Sequence, residues 1–145
     1  MVKQVCESMA PVMVHREQTL ETNIKLAKLR MDLDHSRMTQ VLNNLISNAS
    51  KFSPVDSTVT VTMDARDEGV MVEVSDEGTG IDSTEADAVF DPFYRIAAEA
   101  VKKVPGTGLG LHVARTIVRQ HRGDITIVDC STTGTTLRVT LPLVR

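Results

Sequence analysis

Three polar side chains, Asn44, Asn48 and Lys51, fall at spacings of four and three in a stretch with helical periodicity. On a helical wheel they lie within about 60° of one another. They stand beside an apolar stripe of Met38, Val41, Leu42, Leu45 and Ala49, so two amides and an ammonium meet at a semi-buried edge where polar groups need partners. An amide oxygen is a hard ligand suited to Mg²⁺, and a lysine is a point charge suited to phosphate. The same residues also read as an ordinary solvated face, and alone they do not decide.

Two glycine clusters follow. Asp76-Glu77-Gly78-Thr79-Gly80 comes directly after a strand-like run ending at Val74. Its aspartate can accept a hydrogen bond from an exocyclic amine, and glycines let a ring approach the backbone. Acidic-glycine turns after strands are common, however, and the motif is weak by itself. Gly106-Thr107-Gly108-Leu109-Gly110-Leu111 leads into a helical pattern. There, backbone N–H groups and the positive helix end favour an anion. The spacing GxGxG matches neither the dinucleotide fingerprint nor the P-loop, and a flexible hinge is the alternative. Between the clusters stand Phe90-Asp91-Pro92-Phe93-Tyr94-Arg95 and then an aperiodic stretch to Pro105. This segment reads as a closing lid with Arg95, Lys102 and Lys103 near phosphate, or as a small aromatic core under a loop.

The elements that must position these residues follow from periodicity. Val2 to His15 has helical spacing, with Pro11 ending or kinking the helix. Thr19 to Leu33 reads as two short strands, the second from the alternation of Leu29, Met31 and Leu33. Asp34 is a suitable N-cap for a helix to about Phe52, stopped by Ser53-Pro54. Thr58–Met63 and Val70–Val74 alternate around Arg66-Asp67-Glu68-Gly69 as a hairpin. A helix from about Leu109 to His121 closes at Arg122-Gly123, where Gly123 suits the left-handed position past a helix end. Ile125–Val128 and Thr136–Leu141 supply two more strands. Helices and strands mix without strict alternation, which predicts an α+β, two-layer sandwich: about three helices on one face of a mixed, mostly antiparallel sheet.

Bulk properties narrow the classes. The 145 residues suit a single domain spanning 1–145, and 41% hydrophobic with 24% charged residues is globular composition. A net charge of −3 gives no attraction to nucleic acid or an anionic membrane, and 3% aromatics gives no base-stacking platform. No apolar run approaches the roughly 20 residues of a membrane span. Cys6 and Cys130 form no CxxC and share no metal-ligand spacing with the four histidines, so reduced thiols and a cytoplasmic setting are expected.

Each cluster is ambiguous alone, but their order resembles one family: the catalytic ATP-binding domain of sensor histidine kinases, in the superfamily of gyrase, heat-shock protein 90 and MutL proteins. Gln40-Val41-Leu42-Asn43-Asn44-Leu45-Ile46-Ser47-Asn48-Ala49-Ser50-Lys51-Phe52 resembles its Asn box, DEGTGI from Asp76 its first glycine box, FDPFYR from Phe90 its phenylalanine box, and GTGLGLHVARTIVRQH from Gly106 its second glycine box. The resemblance runs from about Val2 to Pro142. It implies the Bergerat-type sandwich, with ATP and Mg²⁺ as the bound groups.

By position, the resemblance implies Asn48 as the Mg²⁺ ligand, Asn44 beside it, Lys51 and Arg95 toward phosphates, and Asp76 at the adenine amine. It implies that Gly78, Gly80, Gly106, Thr107, Gly108, Leu109 and Gly110 shape the nucleotide site, and that Phe52, Ile81, Phe93 and Leu111 line it. Two departures, Thr132-Thr133-Gly134-Thr135 for a terminal GxGT and Arg122 for a glycine, read as peripheral to the pocket. Hydrolytic members carry a glutamate where Asn44 stands, and an amide cannot serve as a general base. The implied activity is therefore donation of γ-phosphate to a histidine on a dimerising acceptor hairpin, with a response regulator downstream. The family's acceptor motif reads HExRxP, whereas His15-Arg16-Glu17-Gln18 falls where the first helix ends. The chain thus reads as a catalytic domain from a longer kinase, whose other parts include any membrane anchor. The alternatives are an anti-sigma-type protein-serine kinase and a noncatalytic nucleotide-binding module.

Overall fold

In a computed structural model, described for residues 1–25, 29–94, 108–131 and 133–143, the chain forms α1 (Val2–His15), β1 (Thr19–Ile24), α2 (His35–Lys51), β2 (Thr58–Arg66), β3 (Gly69–Asp76), α3 (Gly110–Gln120), β4 (Asp124–Ser131) and β5 (Gly134–Pro142). Two single 3₁₀ turns, Ser83–Glu85 and Ala88–Phe90, lie between β3 and α3. The five strands are ordered β1-β2-β3-β5-β4. β1 pairs with β2 in parallel, joined through α2, and the other pairings are antiparallel. The helices form the second layer, as expected for the sandwich.

The core lies between the layers. Alternation puts Val59 and Val61 of β2, Val72 and Val74 of β3, Ile125 of β4 and Leu137, Val139 and Leu141 of β5 on the inner face. Against them packs the whole expected stripe of α2, with Ile46 added. Each Val, Leu, Ile or Met among them contributes about 1.5–3 kcal/mol by leaving water. Asp34 caps α2 by accepting from the Arg37 N–H at 3.0 Å. No helix among the described residues is long and apolar enough to cross a membrane.

Three expectations are corrected. α1 continues through Pro11 to His15. Proline deprives the Glu7 carbonyl of its helical donor, but both residues are exposed, so water satisfies the carbonyl. Residues 29–33 form no strand. Leu29, Met31 and Leu33 do alternate half-buried against Arg30 and Asp32, and Met31 and Leu33 pack on the core. That alternation reports burial of one face, not pairing in a ladder. Finally, the left-handed residue after α3 is Arg122, at φ 64°, and not Gly123. Gly123 serves a different need: a Cβ there would lie 2.1 Å from the Thr140 carbonyl oxygen of β5.

Candidate functional site

α2 and α3 pack side by side, and the polar face of α2 meets the first residue of α3. The Asn44 amide donates to the Gly110 carbonyl oxygen at 3.3 Å. A Cβ built on Gly110 would lie 3.8 Å from Asn48 Nδ2. Both asparagines are half-buried and Lys51, one turn on, is exposed. Leu109, at the N-cap of α3, gives its leading N–H groups no side-chain acceptor, and the positive dipole end of the helix lies there. Two amides therefore meet a helix start without a side-chain N-cap, an arrangement suited to a polyphosphate.

The far end of α2 meets the loop after β3. Gly78 lies so close to the Phe52 carbonyl that a Cβ there would stand 2.3 Å from the oxygen, so no other residue fits without moving the loop. Asp76, at the end of β3, accepts from the Gly78 N–H at 2.8 Å. Burial pushes the Asp76 carboxyl above its usual range, while the backbone N–H groups of Gly78 and Thr135 pull it down. A hollow of about 400 Å³ opens between Lys51–Pro54 and Glu77–Thr79. Gly80 follows at φ 74°, and the half-buried Ile81 packs on the core.

The phenylalanine segment divides. Phe90 is 5% exposed and lies under the Arg115 guanidinium, 4.5 Å from the ring centroid. Its carbonyl pairs with His112 Nδ1 at 3.2 Å. Tyr94 is half-buried and donates its hydroxyl to Glu85. Phe93 is 71% exposed, at φ 64°, and its N–H donates to the Gly108 carbonyl at 3.1 Å. The aromatic anchor therefore consists of Phe90 and Tyr94. Leu109 and Leu111 are half-buried, and Leu111 packs on the core. Arg95, Lys102, Lys103, Gly106 and Thr107 lie outside the described residues.

Sequence reasoning underrated the first residues of β5. A Cβ on Gly134 would lie 2.2 Å from the Asp76 carbonyl oxygen, and Thr135 is Asp76's partner in the β3–β5 register. Gly134 and Thr135 are the back wall of Asp76, not a peripheral feature. The Gly-Thr pair opening a strand was the available signal. Among the described residues no cluster of three His, Cys, Asp or Glu side chains could hold a metal. A divalent ion here would depend on amide oxygen and on oxygens of its ligand, a hard donor set that suits Mg²⁺.

Residues 33–145 match the family described as "Histidine kinase-, DNA gyrase B-, and HSP90-like ATPase". The chain belongs to this ATPase family. It is 37% identical to sensor histidine kinase WalK of Bacillus subtilis over 96% of this chain and 24% of WalK. It is also 37% identical to sensor protein SrrB of Staphylococcus aureus, over 75% of this chain and 19% of SrrB. The chain thus spans about a quarter or less of these relatives. Among solved structures, the mycobacterial sensor histidine kinase MprB superposes with a TM-score of 0.83 at 27% identity, covering 97% of this chain and 95% of that one. The catalytic domain of histidine kinase ThkA shares the fold with a TM-score of 0.83, covering 98% and 91% of the two chains. Within this ATPase family, the first glycine loop and the asparagine helix of the present chain lie side by side.

Proposed function

We propose that this family member is the catalytic domain of a sensor histidine kinase. It binds Mg-ATP between α2, the loop after β3 and the start of α3, and presents the γ-phosphoryl group to a histidine on a dimerising hairpin outside residues 1–145. The observation that carries this reading is the meeting of Asn44 and Asn48 with Gly110 at the uncapped start of α3. Asn48 would hold Mg²⁺ through its amide oxygen. Lys51 and Arg95 would balance phosphate charge, and Asp76 would accept from the adenine amine. Phe52, Ile81, Phe93 and Leu111 would line the site, and Gly78, Gly80, Gly106, Thr107, Gly108, Leu109 and Gly110 would give it shape. Mg²⁺ supplies charge neutralisation on the transferring phosphoryl group.

Asn44 offers no proton acceptor to water, and its Nδ2 is engaged by Gly110. The site therefore holds γ-phosphate for an outside nucleophile. The chain's own histidines support an external acceptor. His121 uses both ring nitrogens, toward the Ile117 carbonyl at 2.8 Å and the Asp34 N–H at 3.1 Å, and His112 is bound to Phe90. His15 and His35 stand at ends of helices whose apolar faces are part of this core. The downstream recipient is a response regulator, and the setting is cytoplasmic.

The test combines γ-labelled ATP, the chain and an added hairpin bearing the HExRxP histidine. The expected label is on the hairpin and is acid-labile, as a phosphoramidate is, with none on the chain. Self-labelling at His15, or acid-stable label on serine, overturns the assignment.

A further inference from the structure

Four polar residues are buried among those described: Gln18, Ser50, Ser57 and Thr135. Thr135 backs Asp76, and the other three meet behind the end of α2. Gln18 is 7% exposed. Its Nε2 donates toward the carbonyls of Ser50 at 3.0 Å, Ser53 at 2.9 Å and Pro54 at 3.2 Å, sharing two hydrogens among three acceptors. Its Oε1 accepts from the Ser50 hydroxyl, which itself accepts from Arg16 at 2.9 Å. Ser57 Oγ donates to the Pro54 carbonyl at 2.6 Å. Gln18 is fixed in turn by its N–H to the Met13 carbonyl at 2.9 Å, while its neighbours join Ser57 and Asp56 through the backbone.

The last carbonyls of a helix have no partners of their own. Here one buried amide joins the Ser50 carbonyl of the last turn of α2 to the Ser53 and Pro54 carbonyls beyond the helix end, on both sides of Lys51 and Phe52, and Phe52's carbonyl bears on Gly78. We infer that Gln18 is a positioning residue for the nucleotide: it fixes the Lys51–Phe52 segment, and through it the first glycine loop, without touching the ligand. This rests on the nucleotide reading above. Without this amide the Ser50 and Pro54 carbonyls keep the Ser53 N–H and the Ser57 hydroxyl, but the cross-link over Lys51 and Phe52 is lost, so that segment and Gly78 relax together and binding loses its preformed geometry.

The test compares Gln18→Met with Val139→Ala, which opens a cavity in the sheet core away from this junction. Mg-ATP affinity is measured by calorimetry on each folded protein, beside its Tm. Gln18→Met is expected to weaken Mg-ATP binding about tenfold, while Val139→Ala lowers Tm and leaves affinity within about twofold of the parent, as expected for a distant site. Should Gln18→Met fail to fold, Gln18→Asn makes the same comparison with an amide too short to reach all three carbonyls. A folded Gln18 variant with parental affinity, beside normal binding by the unsubstituted chain, overturns the Gln18 assignment alone. Absence of binding by the unsubstituted chain overturns the nucleotide reading on which it rests.

Discussion

The Asn44 side chain donates to the main-chain oxygen of Gly110 at 3.3 Å, tying the middle of α2 to the residue that opens α3. The bond links the helix of the proposed metal ligand to the proposed phosphate site, beside the apolar packing of the two helices.

Asn48 stands one turn beyond Asn44 on the same face. Asn48→Ala is expected to lower affinity for ATP about tenfold in the presence of Mg²⁺ and to change it little when the metal is chelated. Titrations in the two buffers check this. Equal losses in both would assign Asn48 to packing.

Asp76 makes a base-selectivity prediction. Asp76→Asn should narrow the preference for adenine over guanine nucleotides, measured by competition. Burial raises this carboxyl, and protonation removes an acceptor, so binding should weaken as pH falls through a value above the usual 3.8. In the free protein the sign is opposite. The fold binds the proton better than the unfolded chain does, so Asp76's contribution to stability falls as pH rises from 3.8 to its raised value. Gly134→Ala, which drives a methyl group toward the Asp76 carbonyl, should weaken adenine binding in the same assay.

Arg122 is held at φ 64°, a conformation that costs a non-glycine residue about 1 kcal/mol. Arg122→Gly should raise stability by about 0.5–1 kcal/mol, or a few degrees in Tm. Thermal denaturation checks it, and a lower Tm would mean that the Arg122 side chain makes a larger contribution than its strain.

Asp124 joins Arg115 at 2.9 Å and Arg119 at 3.1 Å, and the Arg115 guanidinium above all lowers its carboxyl to about 2. Its contribution to stability is therefore full above 3.8 and is lost as pH falls toward about 2. The pair is partly solvated, so the contribution is under about 1 kcal/mol. The difference in stability between the chain and Asp124→Asn, followed by urea unfolding from pH 5 to 2, should shrink across that window. A difference independent of pH would show that the ion pair contributes nothing.

Much of this architecture was legible in the sequence because it rests on local period. The stripe of α2, its Asp34 cap and the β2–β3 hairpin emerge within a few residues of their expected bounds. What failed required knowledge of a neighbour. The alternation at Leu29, Met31 and Leu33 could not show that no strand pairs with it. Pro11 is tolerated because its face of α1 meets water. Gly123 and Gly134 are set by backbone from other strands, at Thr140 and Asp76. Gln18 reads as an ordinary polar residue until the carbonyls at and just beyond the end of α2, more than thirty positions away, are found around it.

The central claim is tested most directly by titrating the chain with ATP, with and without Mg²⁺, in a calorimeter. The account predicts saturable binding of one nucleotide per chain, tighter with Mg²⁺, and hydrolysis far slower than that of relatives with a glutamate at the Asn44 position. Failure of millimolar Mg-ATP to bind, or turnover matching those hydrolytic relatives, would contradict it.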